Sequence, residues 1–421
     1  MTALSLSVVV SNGFGQFHLR IAAAEAQARS ALAGFITGGY PNAALARMAD
    51  TLGLSRAPAV ARLRERAADL SPELVHPLWT GEALYQIANR LRAIRALPLA
   101  AADSLHLAAR RLYAAAAARI VDRLAGAGSL GIYHYRAGFG GRSAANARRR
   151  GWACLCDHSI AHPAVLQHLV THCGQLPPAG QSGSMNANWR AILADIAQAD
   201  AVVVNSEFVR ETFLHQGWDG RAVHVVPWGI NDEFLSLIPP RTAPEDRLRL
   251  LFAGSFGARK GAFALADALA RLHGIDWHLD LCGPVDAAAS ATLRRLCASG
   301  RAVHHGVLGR RELAQRMASA DVLVLPSLAE GSARVVDEAL AAGCYIITTA
   351  NAGSVVADGR HGRLVQPGHA PELAAAIREA ALDRPRIARI GAHNAALVRE
   401  RYSQARYGER LLDLYQHLSR Q

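Results

Sequence analysis

The 421-residue sequence predicts an α/β chain of two doubly wound domains. Three observations predict it. Short apolar runs ending in glycine or polar residues alternate with helical stretches along the chain. The proline-rich segment Pro239-Pro240-Arg241-Thr242-Ala243-Pro244 divides that series near its middle. The length exceeds what one hydrophobic core usually serves. The expected organisation is an N-terminal domain over 1–238, a linker over 239–247 and a C-terminal domain over 248–395. A C-terminal helix over 396–421 is expected to pack back toward the N-terminal domain. Each domain would point its strand C-termini toward a shared cleft.

In the first half, Leu4 to Val10 reads as a strand, followed by a loop with Gly13 and Gly15 and a helix to about Arg29. Strand, glycine loop and helix suit a phosphate or sugar, although glycines also end strands for conformational reasons alone. Ala33 to Thr37 is a second strand. Residues 42 to 127 read as mostly helical and rich in Ala, Leu and Arg. Arg90, Arg92, Arg95, Arg110 and Arg111 fall there. A solvated face is the default, and membrane headgroups or an acidic acceptor are the alternatives. Gly131 to Tyr135 and Trp152 to Cys156 are further strands, the latter ending at Asp157-His158. Polar groups at strand C-termini are where ligands bind, whereas a lone histidine is more often structural. His158 and His162 are four apart, but Pro163 breaks any helix that would make them metal ligands. Residues 174 to 187 read as a loop. Asp200 to Ser206 is a strand, and Ser206 caps the helix from Glu207.

In the second half, Leu248 to Ala253 is a strand, leading through a loop with Arg259 and Lys260 to a helix at Ala262. Trp277 to Cys282 is the next strand. Asp321 to Pro326 is an apolar strand stopped by proline. Ser327 to Cys344 then runs S-L-A-E-G-S-A-R-V-V-D-E-A-L-A-A-G-C. Ala333 to Ala342 reads as a helix, with Gly343 as its stop. Glu330 at the helix mouth and Glu338 eight residues on come within roughly 80° of each other and about 12 Å apart along the axis. That reach suits a nucleotide-diphosphate sugar with its diphosphate on the helix N-terminus. Two glutamates so spaced are, taken alone, usually solvated surface residues.

Hydrophobic residues make up 51% and charged ones 19%, a globular balance that excludes intrinsic disorder. The formal charge of +12 favours anionic ligands or an anionic membrane surface. Nucleic acid is disfavoured, because no basic stretch is interleaved with aromatics. The six cysteines show no metal or disulfide spacing and suit a reducing cytoplasm. No metal or cofactor is expected. The first ten residues lack a basic n-region and read as a strand instead of a signal peptide. No uncharged apolar run is long enough to span a bilayer, which leaves peripheral contact with the inner membrane face as the membrane reading.

Taken in order, these pieces resemble the retaining family-four glycosyltransferases (glycosyl transferases group 1) of the GT-B fold. The resemblance rests on E-x7-E from Glu330 to Glu338, on Val204-Asn205-Ser206-Glu207-Phe208-Val209 and on Val226-Pro227-Trp228-Gly229-Ile230-Asn231. It rests too on Arg259-Lys260-Gly261 and on Gly359-Arg360-His361-Gly362-Arg363-Leu364-Val365. It implies two Rossmann-like domains facing a central cleft, with the nucleotide-sugar donor in the C-terminal domain and the acceptor on the side of the N-terminal domain. By resemblance, Lys260 meets the donor diphosphate, Glu330 the transferred sugar and Glu338 the ribose, and His158 stands at the reaction centre. Gly13, Gly15, Gly254, Ser255, Arg259, Gly331, Ser332 and Arg334 complete the implied donor set. Where the family often carries arginine after the first C-domain strand, this chain has Ser255, with Arg259 as a substitute. Arg334 replaces a usually apolar residue.

The expected function is therefore transfer of a sugar from a nucleotide-diphosphate sugar to a hydroxyl of a glycan or lipid-linked acceptor. Retention of configuration and independence of metal are implied. A nucleotide-sugar epimerase or hydrolase on the same fold, and a non-catalytic sugar-nucleotide-binding subunit, are the competing readings.

Overall fold

The computed structural model describes residues 6–420, apart from 16–17, most of 42–68, 95, 126–130, 182–184 and 242–245. The first residues of the expected first strand, most of the stretch expected to be helical before residue 69, Arg95, part of the 174–187 loop and the end of the proline-rich linker lie outside the described residues.

Apolar runs without polar alternation make strands that must be covered on both faces, the signature of a parallel sheet. Thirteen strands are described, β1 (Ser7–Gly13), β2 (Leu32–Thr37), β3 (Val75–Pro77), β4 (Gly131–Arg136), β5 (Ala153–Asp157), β6 (Ala201–Val204), β7 (Val223–Val225), β8 (Leu248–Ala253), β9 (Trp277–Cys282), β10 (Ala302–Gly306), β11 (Val322–Leu325), β12 (Tyr345–Thr348) and β13 (Gly362–Leu364), and the central ones are of this kind. They form two sheets, ordered β3-β2-β1-β4-β5-β6-β7 and β10-β9-β8-β11-β12-β13. Parallel pairing sets Ser7 to Ser11 of β1 against Gly131 to Tyr135 of β4, and Val322 and Leu323 of β11 against Leu250 and Leu251 of β8. In both sheets the strand order reverses at that pair, so the loops after β1 and β4, and after β8 and β11, are where a doubly wound sheet holds its ligand. The expected fold class is what the structure has.

The chain divides into two compact units. One comprises Met1–His158, Ser184–Val203 and Gly408–Gln421; the other comprises Ser159–Gly183 and Val204–Tyr407. In the first, Val8, Val9, Val10, Phe35, Ile132, Tyr133 and Leu155 are fully or almost fully buried. In the second, Leu250, Leu251, Leu323, Val324, Ile346 and Ile347 are the centre of the core.

At the base of the second core, buried Asp321 is held by Arg249 at 2.9 Å and Arg384 at 2.7 Å. Arg241, in the proline-rich segment, donates to the Ala320 and Ala342 carbonyls at 2.7 and 3.0 Å. The segment is thus anchored beside β11.

Two features differ from the sequence reading. Val75–Pro77 is a strand inside a region expected to be helical, pairing with Phe35 to Thr37 at the sheet edge. Three residues are too few to show alternation, and Pro77 is tolerated because the strand is an edge. The C-terminal tail is two helices, Arg384–Arg401 and Gln404–Leu418, broken where the Tyr402 carbonyl accepts from Ile230 N–H at 2.8 Å. Among the described residues, no helix is long and apolar enough to cross a membrane.

Candidate functional site

In the second unit the chain leaves β8 through Gly254, whose φ is +127°. A Cβ there would stand 2.8 Å from Lys260 Cε, because the lysine side chain lies across the glycine backbone. Glycine alone permits both the conformation and the approach. A single turn, Ala258–Lys260, precedes the helix Ala262–Ala270 and aims two cations at one carboxylate. Lys260 Nζ is 2.9 Å and Arg259 Nη1 2.7 Å from Glu330 Oε1. Arg259 also donates to the Ala329 carbonyl at 3.1 Å.

The loop carrying Glu330 is fastened at each step. Glu330 N–H donates to the Asn351 carbonyl at 2.9 Å, and the Gly331 carbonyl accepts from Ser206 Oγ at 2.5 Å. Ala333 N–H donates to the Ala352 carbonyl at 3.0 Å. The helix Arg334–Ala341 follows, and its C-terminus closes as expected. Gly343 has φ +79°, and the N–H groups of Gly343 and Cys344 reach the Leu340 and Ala339 carbonyls.

Glu338 is half-buried on this helix, and desolvation pushes its carboxyl above the ordinary range, against the pull of Arg334 and Arg310. Asp337 beside it is 7% exposed and pushed up to about 7 by burial and by Glu338. Its Oδ1 has no hydrogen-bond partner among the described residues. The Arg334 guanidinium lies 5.9 Å over the Trp228 ring.

An open pocket of about 860 Å³ collects Gly254, Lys260, Glu330, Ser332, Arg334 and Glu338, together with Trp228, Val307 and Leu308. Three other expected residues border this pocket without lining it. Ser255 Oγ hydrogen-bonds Asp286 at 2.8 Å, Arg259 braces Glu330, and Gly331 is held through its carbonyl. The pocket combines two cations, Lys260 and Arg334, with two carboxylates, Glu330 and Glu338, and apolar walls. Arg259 and Lys260 together carry one more charge than the Glu330 carboxylate they share.

The first unit holds Gly13, Gly15 and His158. Gly13 and Gly15 have φ of +75° and +73°, and a Cβ on Gly13 would strike the Phe139 ring at 2.7 Å. His158 follows β5, is buried and donates its backbone N–H to the Val203 carbonyl at 3.0 Å. A buried chain beside it escaped the sequence reading. Asp157 Oδ2 lies 2.7 Å from His18 Nε2 and 3.6 Å from His134 Nε2, and His134 Nδ1 is 2.7 Å from Tyr415 Oη. Burial acts to raise the Asp157 carboxyl, but His18 and His134 hold it well below the usual range. Burial lowers the His134 pKa. The one local signal was His18 directly after the glycine loop. Asp337 was also missed, although an acid adjoining Glu338 was visible.

Among the described residues no group of His, Cys, Asp and Glu could hold a metal ion. Residues 247–383 match the family model for glycosyl transferases group 1. Curated relatives include a D-inositol 3-phosphate glycosyltransferase of Arthrobacter sp. (strain FB24), 28% identical over 56% of this chain and 58% of the relative. Another of the same name, from Xylanimonas cellulosilytica, is 32% identical over 52% of this chain and 57% of the relative. The chain spans somewhat under two thirds of the length of these relatives. The solved structure of the Anabaena protein HepE in complex with UDP aligns with a TM-score of 0.61 and 16% identity, covering 98% of this chain and 100% of that one. The chain therefore has the GT-B fold, and residues 247–383 form a glycosyl transferases group 1 domain.

Proposed function

We propose that the protein transfers a sugar from a nucleotide-diphosphate sugar, held in the second unit, to a hydroxyl of a glycan, lipid-linked or other polyol acceptor. The convergence of Lys260 and Arg259 on Glu330, in one pocket with Glu338, carries this reading. In it, the diphosphate takes over the two cations and the first N–H groups of the helix Arg334–Ala341. Glu330 is released toward the sugar, and Glu338 accepts from the ribose hydroxyls. The acceptor oxygen bonds to the anomeric carbon on the face from which the diphosphate leaves, and the departing phosphate takes the acceptor proton. Configuration is retained. The cations and helix dipole supply the neutralisation that a metal gives elsewhere, so transfer is expected to persist in chelator. Strict Mg²⁺ dependence would count against it.

A uridine donor is favoured, because the Anabaena protein of like fold has been determined with UDP and with UDP-glucose. The relatives' names make a small phosphorylated polyol an acceptor to test beside glycans. The charge of +12 supports docking on an anionic membrane surface. A thermal-shift panel of nucleoside diphosphates and their sugars tests the donor assignment. One nucleotide series, expected to be uridine, should raise Tm by mass action. No shift with any of them would refute it.

A further inference from the structure

A second pocket, in the first unit, has no part in the donor reading. It opens at the C-terminal edge of β4, between the helices Leu99–Leu124 and Ala187–Ala197, with about 870 Å³ of space. Arg110, Arg111, Arg190 and Phe139 line it, and among the described residues Asp195 is the one carboxylate in its lining. Asp195 is already engaged by Gly140 N–H at 2.8 Å, Gly141 N–H at 2.7 Å and Gln198 Nε2 at 3.0 Å. Three guanidinium groups therefore face one occupied carboxylate.

Arg110 is the telling residue. Its guanidinium lies 5.4 Å over the Phe139 ring, and Nη1 sits 3.0 Å from where a Cβ of Gly138 would be. Its Nε and Nη1 are shut off from solvent, yet neither has a hydrogen-bond partner among the described residues. Buried donors on a cation are costly to leave unused and are normally satisfied. Arg136 stacks on the same ring at 5.2 Å and donates to the Phe14 carbonyl, which ties the pocket wall to the glycine loop after β1. Phe139 fixes the Arg110 plane, and adjacent guanidinium donors match two oxygens of one phosphate.

We propose that this pocket binds the phosphate of a phosphorylated acceptor, with Arg110 as a bidentate clamp and Arg111 and Arg190 at its mouth. That the phosphate belongs to an acceptor rests on the glycosyl-transfer reading; the anion site itself does not.

The test is calorimetry on the full chain, with UDP present, using inorganic phosphate and, separately, phosphatidylcholine vesicles with and without phosphatidylinositol. Phosphate should bind, and Arg110→Gln should weaken it about tenfold, with Arg110→Lys recovering only part. Arg111→Gln and Arg190→Gln, on exposed positions, should each weaken it a few-fold without loss of Tm. Binding of inorganic phosphate without the phosphatidylinositol vesicles would assign the site to a free phosphate ester; binding of those vesicles would assign the phosphate to a lipid headgroup. Wild-type affinity in all three glutamine variants, or no binding of either probe, would overturn the proposal. Lys260→Ala separates the two readings. Phosphate binding that survives it and is lost in Arg110→Gln supports the pocket even if no nucleotide binds.

Discussion

Lys260→Ala is expected to lower the rate of transfer about 10³-fold while the chain stays folded. Lys260 crosses Gly254 and ends 2.9 Å from Glu330, on the pocket floor where a leaving diphosphate would develop its charge. Removing it leaves Glu330 still paired with Arg259 at 2.7 Å, so no bare charge is buried and the structural cost is small. The loss should fall on kcat more than on KM, because the cation acts on charge that grows in the transition state. Initial rates with saturating donor, beside a melting curve, check it. Full transfer by this variant would remove the mechanism.

The second large effect is on stability. Asp337 is pushed up to about 7, first by burial and then by Glu338, although Arg334 and Ser332 pull it down. Unfolded, it would titrate near its ordinary 3.8. Between those values the folded chain holds a proton that the unfolded chain has released. The unfolding free energy must then fall as pH rises, with the contribution complete below pH 3.8 and lost through about pH 7. The difference corresponds to roughly 4 kcal/mol. Asp337→Asn keeps the shape and removes the ionisation. It is expected to match the wild type near pH 4 and to exceed it by up to that amount at pH 8, in denaturant titrations at each pH. Parallel profiles would show that Asp337 is not the titrating group.

Much of the second unit was legible because its signals are local. The apolar run of β11, the glycine at 343 and the Ser206 cap each declare themselves within a few residues. The Arg259-Lys260 pair and the two glutamates became a site only through the order of the loops around them. Arg259 shows the limit of that reading: its position suggested a stand-in for the arginine absent at Ser255, and its partner, Glu330, emerged only in three dimensions. What stayed hidden depends on distant contacts. His18 meets Asp157 across 139 residues, and His134 meets Tyr415 across 281. No spacing rule links such positions. Asp337 drew no reading of its own, and it is buried with Val336, Ala339 and Leu340 on the inward side of its helix. Arg110 was seen among arginines on a helix, with solvent as the default; the pocket around it is made by the Gly138–Gly141 loop and a helix some eighty residues on.

The central claim is that the pocket floored by Lys260, Glu330 and Glu338 binds a nucleotide-diphosphate sugar. Calorimetric titration of UDP and UDP-glucose into the wild type and into Glu338→Ala tests it most directly. Saturable one-to-one binding by the wild type, weakened at least about tenfold by loss of the Glu338 carboxylate, is the predicted result. Equal affinity in the two proteins, or no binding of any nucleoside diphosphate by the wild type, would contradict it.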